Sequence, residues 1–458
     1  MKNYDAIIIG FGKAGKTLAA DLANHGNKVA LIEQSKYMYG GTCINVGCLP
    51  TKSLVNSSKI SQYKQFKTFE QKSQFYKEAI ADKNKLTANL RTKNFDKLND
   101  HPNVVIYTGK ASFVSSYEVK VEMEQETIHL FGTQIFINTG SKAIIPDIEG
   151  IHDNKRVYLS DSLLDVTKLP ARLSIIGGGY IGLEFASIYA NFGSKVTVFQ
   201  DTANFLPRED DELAAEVKQV MMEQGIVFKL GVITTSLSDN GTEAILHYKD
   251  AQSGENMQYP ADAILLATGR KPNTEELNLA AARIVTTPKG AVKVDELLRT
   301  NIPNIWAMGD VVGGLQFTYV SLDDYRIVRE QLLGNGERST DKRNIPYSVF
   351  IDPAFSRVGL SEKEAKEQGF DVKVAKLSVA AIPKAQVIQE PKGMLKAVID
   401  GKTDQILGVT LFCPESYEMI NIVKIAMDAG LPYTFLKNQI FTHPTFSEAL
   451  NDLFGAIQ

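Results

Sequence analysis

Two of the chain's three cysteines, Cys43 and Cys48, stand in the stretch GGTCINVGCLPTK (residues 40–52), with four residues between them. Thiols at such a spacing could bind a metal, form a structural disulfide, or exchange electrons. A zinc site needs more ligands than these two, so no metal is expected. A structural disulfide does not suit a chain so sparing of cysteine and without a secretory signal. The start, MKNYDAIIIGFGKAGKTLAADL, has only a short apolar run that GFGKAG interrupts, so neither a signal peptide nor a membrane span is expected. Cytoplasm is the expected address, and a cysteine pair there is more often catalytic than structural. Two buried core thiols are the plain alternative.

A second candidate is HPTFSE, which holds His443 and Glu448. An imidazole oriented by a carboxylate keeps one ring nitrogen available to take a thiol proton near neutral pH. A lone histidine can equally serve packing.

The third is a repeat. Residues 4–34 slide onto 171–201 by 167 positions, and Ile8, Ile9, Gly10, Gly12, Gly15, Ala19, Ala23, Asn24, Gly26, Lys28 and Val29 then meet identical residues. Each copy reads as a β-branched strand, a GxGxxG turn, a helix and a second strand, the setting a dinucleotide fingerprint requires. Gly10, Gly12 and Gly15, and again Gly177, Gly179 and Gly182, suit the tight turn, the approach of a pyrophosphate, and close helix–strand packing. Two dinucleotide sites are therefore expected. The copies differ at the end of the second strand. Glu33 offers a carboxylate to a ribose hydroxyl, whereas Gln200 neither repels a 2′-phosphate nor has an arginine beside it to attract one. The choice between NADH and NADPH stays open.

These groups must be held by several domains, because 458 residues exceed one ordinary core. With 44% hydrophobic and 22% charged residues the chain has the makings of a folded core, and a formal charge of −3 argues against a nucleic-acid binder. No apolar run reaches the length of a membrane span. Residues 56–100, rich in Lys, Gln and Phe, read as solvated helices covering a sheet or as a basic contact surface. Strands are expected in VVIYTGKASFV, YEVKVEM, QIFINTGS, DAILLATGR and NIWAMGDVV, and a separate α+β unit from NIPYSVFID onward.

Together the motifs resemble the flavoprotein disulfide reductases, the family of dihydrolipoamide dehydrogenase, glutathione reductase and mercuric reductase. The likeness runs the whole length, through GFGKAG, GGTCINVGC, GGGYIGLE, ATGRKPN, AMGD and THPTFSE. It implies an α/β fold with two Rossmann-like domains, for FAD and NAD(P), and a C-terminal α+β dimerisation domain. The implied boundaries are 1–148 and 271–342 for FAD, 149–270 for NAD(P) and 343–458 for the interface. Within the family, GLQFTYVSLDDYRIV, VAAIPKA, LFCPESYEMINIVKIAMDAGLP and IFTHPTFSEALNDLF look most like the branch linked to reactive-chlorine resistance and hypothiocyanous acid reduction. The chain departs from dihydrolipoamide dehydrogenases at Thr318 and Thr442. It departs from mercuric reductases in having no C-terminal cysteine pair and no N-terminal metal-binding domain.

By this resemblance Cys43–Cys48 is a redox-active disulfide that spans the first turn of a helix, with Cys48 beside the flavin and Cys43 the outward, exchanging thiol. The helix N-terminus would stabilise a thiolate. Lys52 pairs with Glu184 next to the flavin, and Tyr180 covers the ring until nicotinamide displaces it. His443, with Glu448, is the base for the disulfide of the other subunit, so a homodimer is implied. Gly41, Thr42, Gly109 to Ala111, Gly140, Asp310 and Thr318 match FAD-contacting segments, and Gly269 joins the nicotinamide set. Cys413, without a partner, is expected to be a buried thiol. The expected activity is electron transfer from NAD(P)H to a small oxidised substrate, hypothiocyanous acid or a related oxidant. Dihydrolipoamide dehydrogenase is the enzymatic alternative, and a flavin-bearing redox sensor the alternative of another class.

Overall fold

A computed structural model describes residues 2–64, 66–341 and 343–458. The chain divides into two compact units. The first comprises Met1–Leu54, Glu78–Ile145 and Gly269–Lys342; the second comprises Val55–Lys77, Pro146–Thr268 and Arg343–Gln458.

The first unit is built on the strand Lys2–Ile9, whose last four residues are buried. Such a continuous apolar run suits a strand covered on both faces. It pairs in parallel with Val29–Glu33 on one side and Thr127–Ile137 on the other, and Val104–Thr108 extends the sheet past Val29–Glu33. Ile305–Ala307 also joins Thr127–Ile137 in parallel, while Glu118–Glu122 and Lys110–Phe113 continue it as an antiparallel meander. On one face the helix Lys13–Asn24 buries Ala14, Leu18, Ala19, Leu22 and Ala23, an i, i+4, i+5 stripe set by the helical period. Against it lie Ile8, Leu31, Phe136 and Trp306 from the sheet and Ile327 and Val328 from the helix Thr318–Leu333. Ile7, Ile9, Tyr107 and Phe113 belong to a separate cluster.

Among the described residues the second unit holds three sheets. Arg172–Ile176, Lys195–Gln200, Val227–Leu230, Ala263–Leu266 and Val157–Tyr158 form a parallel sheet. The C-terminal residues form an antiparallel sheet of Tyr347–Val349, Phe355–Gly359, Ile406–Phe412, Met394–Asp400 and Val372–Ser378. The latter packs Leu395, Val409 and Leu411 against Ile420, Phe446, Leu453 and Phe454. A third, three-stranded antiparallel sheet, Val232–Asp239, Ala244–Asp250 and Asn256–Ala261, was not marked by any motif. Its burial alternates only loosely, so the period-2 signal is weak.

An ionic cluster fixes the loop after Lys195–Gln200 to the C-terminal sheet. Lys396, 2% exposed, meets Asp210 at 2.9 Å, Glu212 at 2.6 Å and Glu362 at 2.7 Å. Three carboxylates around one buried ammonium satisfy its three donors, the condition under which a buried charge is tolerated.

The helices in 56–100 are Cys48–Tyr63 and Phe69–Asn99. The longer one is not only a solvated cover. Arg91 Nε donates to Asn45 Oδ1 at 2.7 Å, Asn94 Oδ1 accepts from Lys16 Nζ at 2.7 Å, and Phe95 stacks on Tyr39 at 4.6 Å. One face thus grips the segment that carries the cysteines. Among the described residues, no helix is long and apolar enough to cross a membrane.

Candidate active site

The first unit brings the flavin-type fingerprint and the cysteines together. Gly10 has φ +108°, and a Cβ there would lie 2.2 Å from Asn138 O; at Gly12 it would lie 2.5 Å from Asn138 Oδ1, and at Gly15 2.4 Å from Gly10 O. The turn therefore admits only glycine. Gly41, at φ +82°, would drive a Cβ to 2.7 Å from Gly12 Cα, so the cysteine segment rests directly on the fingerprint turn. Gly41 precedes the short helix Thr42–Asn45, which contains Cys43; Cys48 is the first residue of the next helix, Cys48–Tyr63. Contrary to the expectation that the pair spans one helical turn, a break at Val46 separates the short helix of Cys43 from the helix that Cys48 opens.

Cys43 and Cys48 are thiols, both half-buried. Cys48 Sγ lies 3.3 Å from Thr318 Oγ1, at the start of the helix Thr318–Leu333. The hydrogen bond with Cys48 pushes the Cys43 thiol down to about 6; burial opposes this, and Thr318, Lys16 and Lys13 assist it. Cys48 is correspondingly pushed well up, first by the same hydrogen bond and then by burial, while Thr318 and Lys52 pull the other way. The pair thus gives up one proton easily and resists losing the second. Lys52 sits one turn along from Cys48 on its helix.

Around the fingerprint, Glu33 ends its strand and accepts from Phe11 N at 3.1 Å and Ser35 N at 3.3 Å. Burial lifts its carboxyl to about 7 against those backbone donors. Asp310 is raised by burial, opposed by Ser141, which donates to it at 2.8 Å, and by the charge of Arg270. Ala111 lies buried in Lys110–Phe113, while Gly140, at φ +72°, has nothing within 4 Å of where a Cβ would stand. A glycine-walled turn, a helix N-terminus capped by Gly12 without a side chain, the buried carboxylate of Glu33 and the half-buried one of Asp310 fit a dinucleotide with a ribose and a pyrophosphate.

The second fingerprint repeats this geometry in the other unit. Gly177 and Gly182 would place a Cβ 2.3 Å from Ala267 O and 2.1 Å from Gly177 O, whereas Gly179 faces open space ahead of Tyr180–Phe192. These residues fit a nicotinamide dinucleotide equally well. Gln200 is buried, and its amide is in use. Its Nε2 donates to Thr202 Oγ1 at 2.5 Å and Asn204 O at 2.7 Å, and its Oε1 lies over Gly178. Glu184, 8% exposed, accepts from Phe350 N at 2.9 Å. Gly269, at φ +109°, follows in the first unit.

His443 Nδ1 is 2.9 Å from Glu448 Oε2, and Glu448 Oε1 accepts from Thr445 N at 3.0 Å. Burial works against the Glu448 charge, but His443 and the Thr445 N–H hold its carboxyl below the usual range. The ring is 68% exposed, so Nε2 is presented outward. Cys413 is fully buried, contacts Met419 Sδ at 3.8 Å, and is pushed up by burial, as an inert core thiol should be.

Several residues carried no signal in the sequence. Asn138 accepts from Gly15 N at 2.9 Å and donates to Met308 O at 2.6 Å, joining the fingerprint turn to the segment before Asp310. Ser141, Tyr347 and Arg357 likewise belong to no motif. Glu209, in the charged run PREDDE, belongs to no motif either, and its side chain is 1% exposed.

Residues 4–324 match the family described as pyridine nucleotide-disulphide oxidoreductase, and 345–454 match its dimerisation domain, which supports a homodimer. The chain is 49% identical, over the full length of both, to the probable pyridine nucleotide-disulfide oxidoreductase RclA of Escherichia coli. It is 33% identical to a dihydrolipoyl dehydrogenase of Bacillus subtilis, covering 98% of this chain and 97% of that one. The solved structure of the HOCl-induced flavoprotein disulfide reductase RclA from Escherichia coli superposes with a TM-score of 0.92, covering 99% of this chain and 100% of that one. With its paired fingerprints and its dithiol resting on the first of them, the chain belongs to the pyridine nucleotide-disulphide oxidoreductases and is a flavoprotein disulfide reductase that uses FAD and NAD(P)H.

Proposed function

We propose that this enzyme uses the Cys43–Cys48 pair to reduce a small electrophilic oxidant, hypothiocyanous acid or a related product of chlorine chemistry. The observation that carries this reading is the half-buried dithiol, in which the hydrogen bond with Cys48 pushes the Cys43 thiol down to about 6, so that the reduced pair favours a Cys43 thiolate at neutral pH. The similarity to a reductase described as HOCl-induced agrees with it.

FAD, when bound, accepts a hydride from the nicotinamide and delivers two electrons to the disulfide. The Gly10–Gly15 turn, Glu33 and Asp310 hold that cofactor, with Gly41, Thr42, Ala111, Gly140 and Thr318 as further contacts. Gly177, Gly179, Tyr180, Gly182, Gln200 and Gly269 serve the nicotinamide nucleotide. Tyr180 covers the nicotinamide site until nicotinamide displaces it, and the Lys52 cation offsets negative charge on the reduced ring.

Substrate reduction then runs through this chain's thiols. Cys43 Sγ⁻ attacks the sulfur of HOSCN; an S–S bond forms, the S–O bond breaks, and hydroxide leaves as water after taking a proton. Cys48 next attacks Cys43 Sγ, expelling thiocyanate and restoring the Cys43–Cys48 disulfide. One dithiol and one HOSCN yield one disulfide, one water, one thiocyanate and one proton. His443 of the partner subunit, oriented by its carboxylate neighbour, manages the proton. The test is steady-state turnover of purified holoenzyme on HOSCN, HOCl-derived chloramines, dihydrolipoamide and glutathione disulfide, with NADH and with NADPH. Rapid turnover of dihydrolipoamide with slow turnover of HOSCN would overturn the reading.

A further inference from the structure

Tyr180, the first residue of the helix Tyr180–Phe192, does not turn its hydroxyl to solvent. The hydroxyl donates to Glu209 Oε1 at 2.5 Å, and Tyr347 donates to the same oxygen at 2.6 Å. The two rings stack with centroids 5.5 Å apart and planes 29° from parallel. The other oxygen of Glu209 receives Arg357 Nη1 at 3.3 Å, and that nitrogen also donates to Arg208 O at 2.8 Å. Glu209 and Arg357 are 1% and 6% exposed. Arg357 is anchored in its strand and also pairs with Glu364, while Lys396 pins the next residue, Asp210. The acceptor is therefore fixed. It cannot follow Tyr180 if the ring moves.

Burial, and then the Glu209 charge, hold both tyrosine hydroxyls protonated far above ordinary working pH, so both remain donors. A hydrogen bond from a phenol to a buried carboxylate is among the stronger neutral-to-charged contacts, and breaking it strands part of the acceptor in a low dielectric.

We propose that Glu209, buttressed by Arg357 and Tyr347, is a latch that holds Tyr180 over the nicotinamide site and thereby sets the apparent affinity for the nucleotide. The proposal rests on the reading of Tyr180 as the side chain that nicotinamide displaces. Only molecules with Tyr180 released accept the ring, so the apparent Kd is the intrinsic one divided by the released fraction. Weakening the latch raises that fraction. Glu209 is a positioning residue here, since it acts through Tyr180.

The test is stopped-flow reduction of the holoenzyme flavin by NADH and by NADPH. Tyr180→Phe keeps the ring but loses the donor, and it should lower the nucleotide concentration for half-maximal rate by about tenfold, a fall exceeding any change in limiting rate. Tyr347→Phe should shift it the same way by less, since Glu209 keeps Tyr180 and Arg357. Glu209→Gln added to Tyr180→Phe should bring no further fall. If Tyr180→Ala lowers the half-maximal concentration but Tyr180→Phe and Tyr347→Phe do not, the gate stands and the latch is overturned. If Tyr180→Ala also leaves it unchanged, the reading of Tyr180 itself fails. A raised value in Tyr180→Phe overturns the latch as well.

Discussion

Thr318 Oγ1 touches Cys48 Sγ at 3.3 Å although 270 positions separate them in the chain. The contact ties the dithiol to the start of a helix from the last part of the first unit, and it favours negative charge on either thiol. In reduced enzyme, alkylation of Cys43 by iodoacetamide should therefore rise with pH through a midpoint near 6 rather than near 9. Thr318→Val removes the hydroxyl at constant shape, and the midpoint should move up by about one unit, the scale of one hydrogen bond to a charged group. A midpoint that stays put would mean that the two thiols settle the ionisation between themselves.

Cys43→Ser should abolish turnover of the oxidant while FAD stays bound. On the proposed reading the cofactor is held by the Gly10–Gly15 turn, Glu33 and Asp310, none of which is substituted, and serine is a poor nucleophile toward sulfur. The check pairs an activity assay with the flavin-to-protein ratio after gel filtration. Wild-type turnover by the variant would remove the pair from the mechanism.

His443→Ala should slow the substrate half-reaction and leave flavin reduction nearly intact. The exposed ring and its 2.9 Å contact to Glu448 suit proton transfer, and such assistance is worth about 10²–10⁴-fold. A very electrophilic hypohalous-type oxidant needs less help and should fall at the low end; a disulfide substrate should lose more, since its leaving thiolate must be protonated. Single-turnover measurement of both half-reactions separates the cases. Slow flavin reduction with a normal oxidative half would put His443 in another role.

Gln200→Glu should lower the kcat/KM ratio of NADPH to NADH, because a carboxylate at the end of that strand repels a 2′-phosphate. The structure adds a second effect. Gln200 Nε2 donates to Thr202 Oγ1 and Asn204 O, and a carboxylate would face the latter carbonyl with no proton to give. The loop should loosen, so KM for both nucleotides should rise and the melting temperature should fall by a few degrees, as for about 1 kcal/mol. A shift in the ratio without either companion effect would show that the loop does not need the amide.

The fingerprint turns, the cysteine segment and the His443–Glu448 contact were legible because each is a local device. A GxGxxG turn works through backbone clearance among neighbouring residues, and the clearances at Gly10 and Gly177, 2.2 and 2.3 Å, repeat as closely as the sequences do. Thr318 was named for the flavin, but its contact with Cys48 depends on how distant segments pack. Asn138 shows no pattern at all: one polar residue at a strand end, it matters only because the strand carrying it runs beside Lys2–Ile9. Glu209 carries no pattern either: an acid in the charged run PREDDE, it is buried because Tyr180, Tyr347 and Arg357, which lie 29, 138 and 148 positions away, give it partners. Sequence alone thus determined which chemistry the chain carries, because turns, helix starts and catalytic spacings are short-range. Tertiary structure alone decided how that chemistry is tuned, because the contacts of Thr318 with Cys48 and of Glu209 with Tyr180, Tyr347 and Arg357 join residues that no spacing along the chain announces.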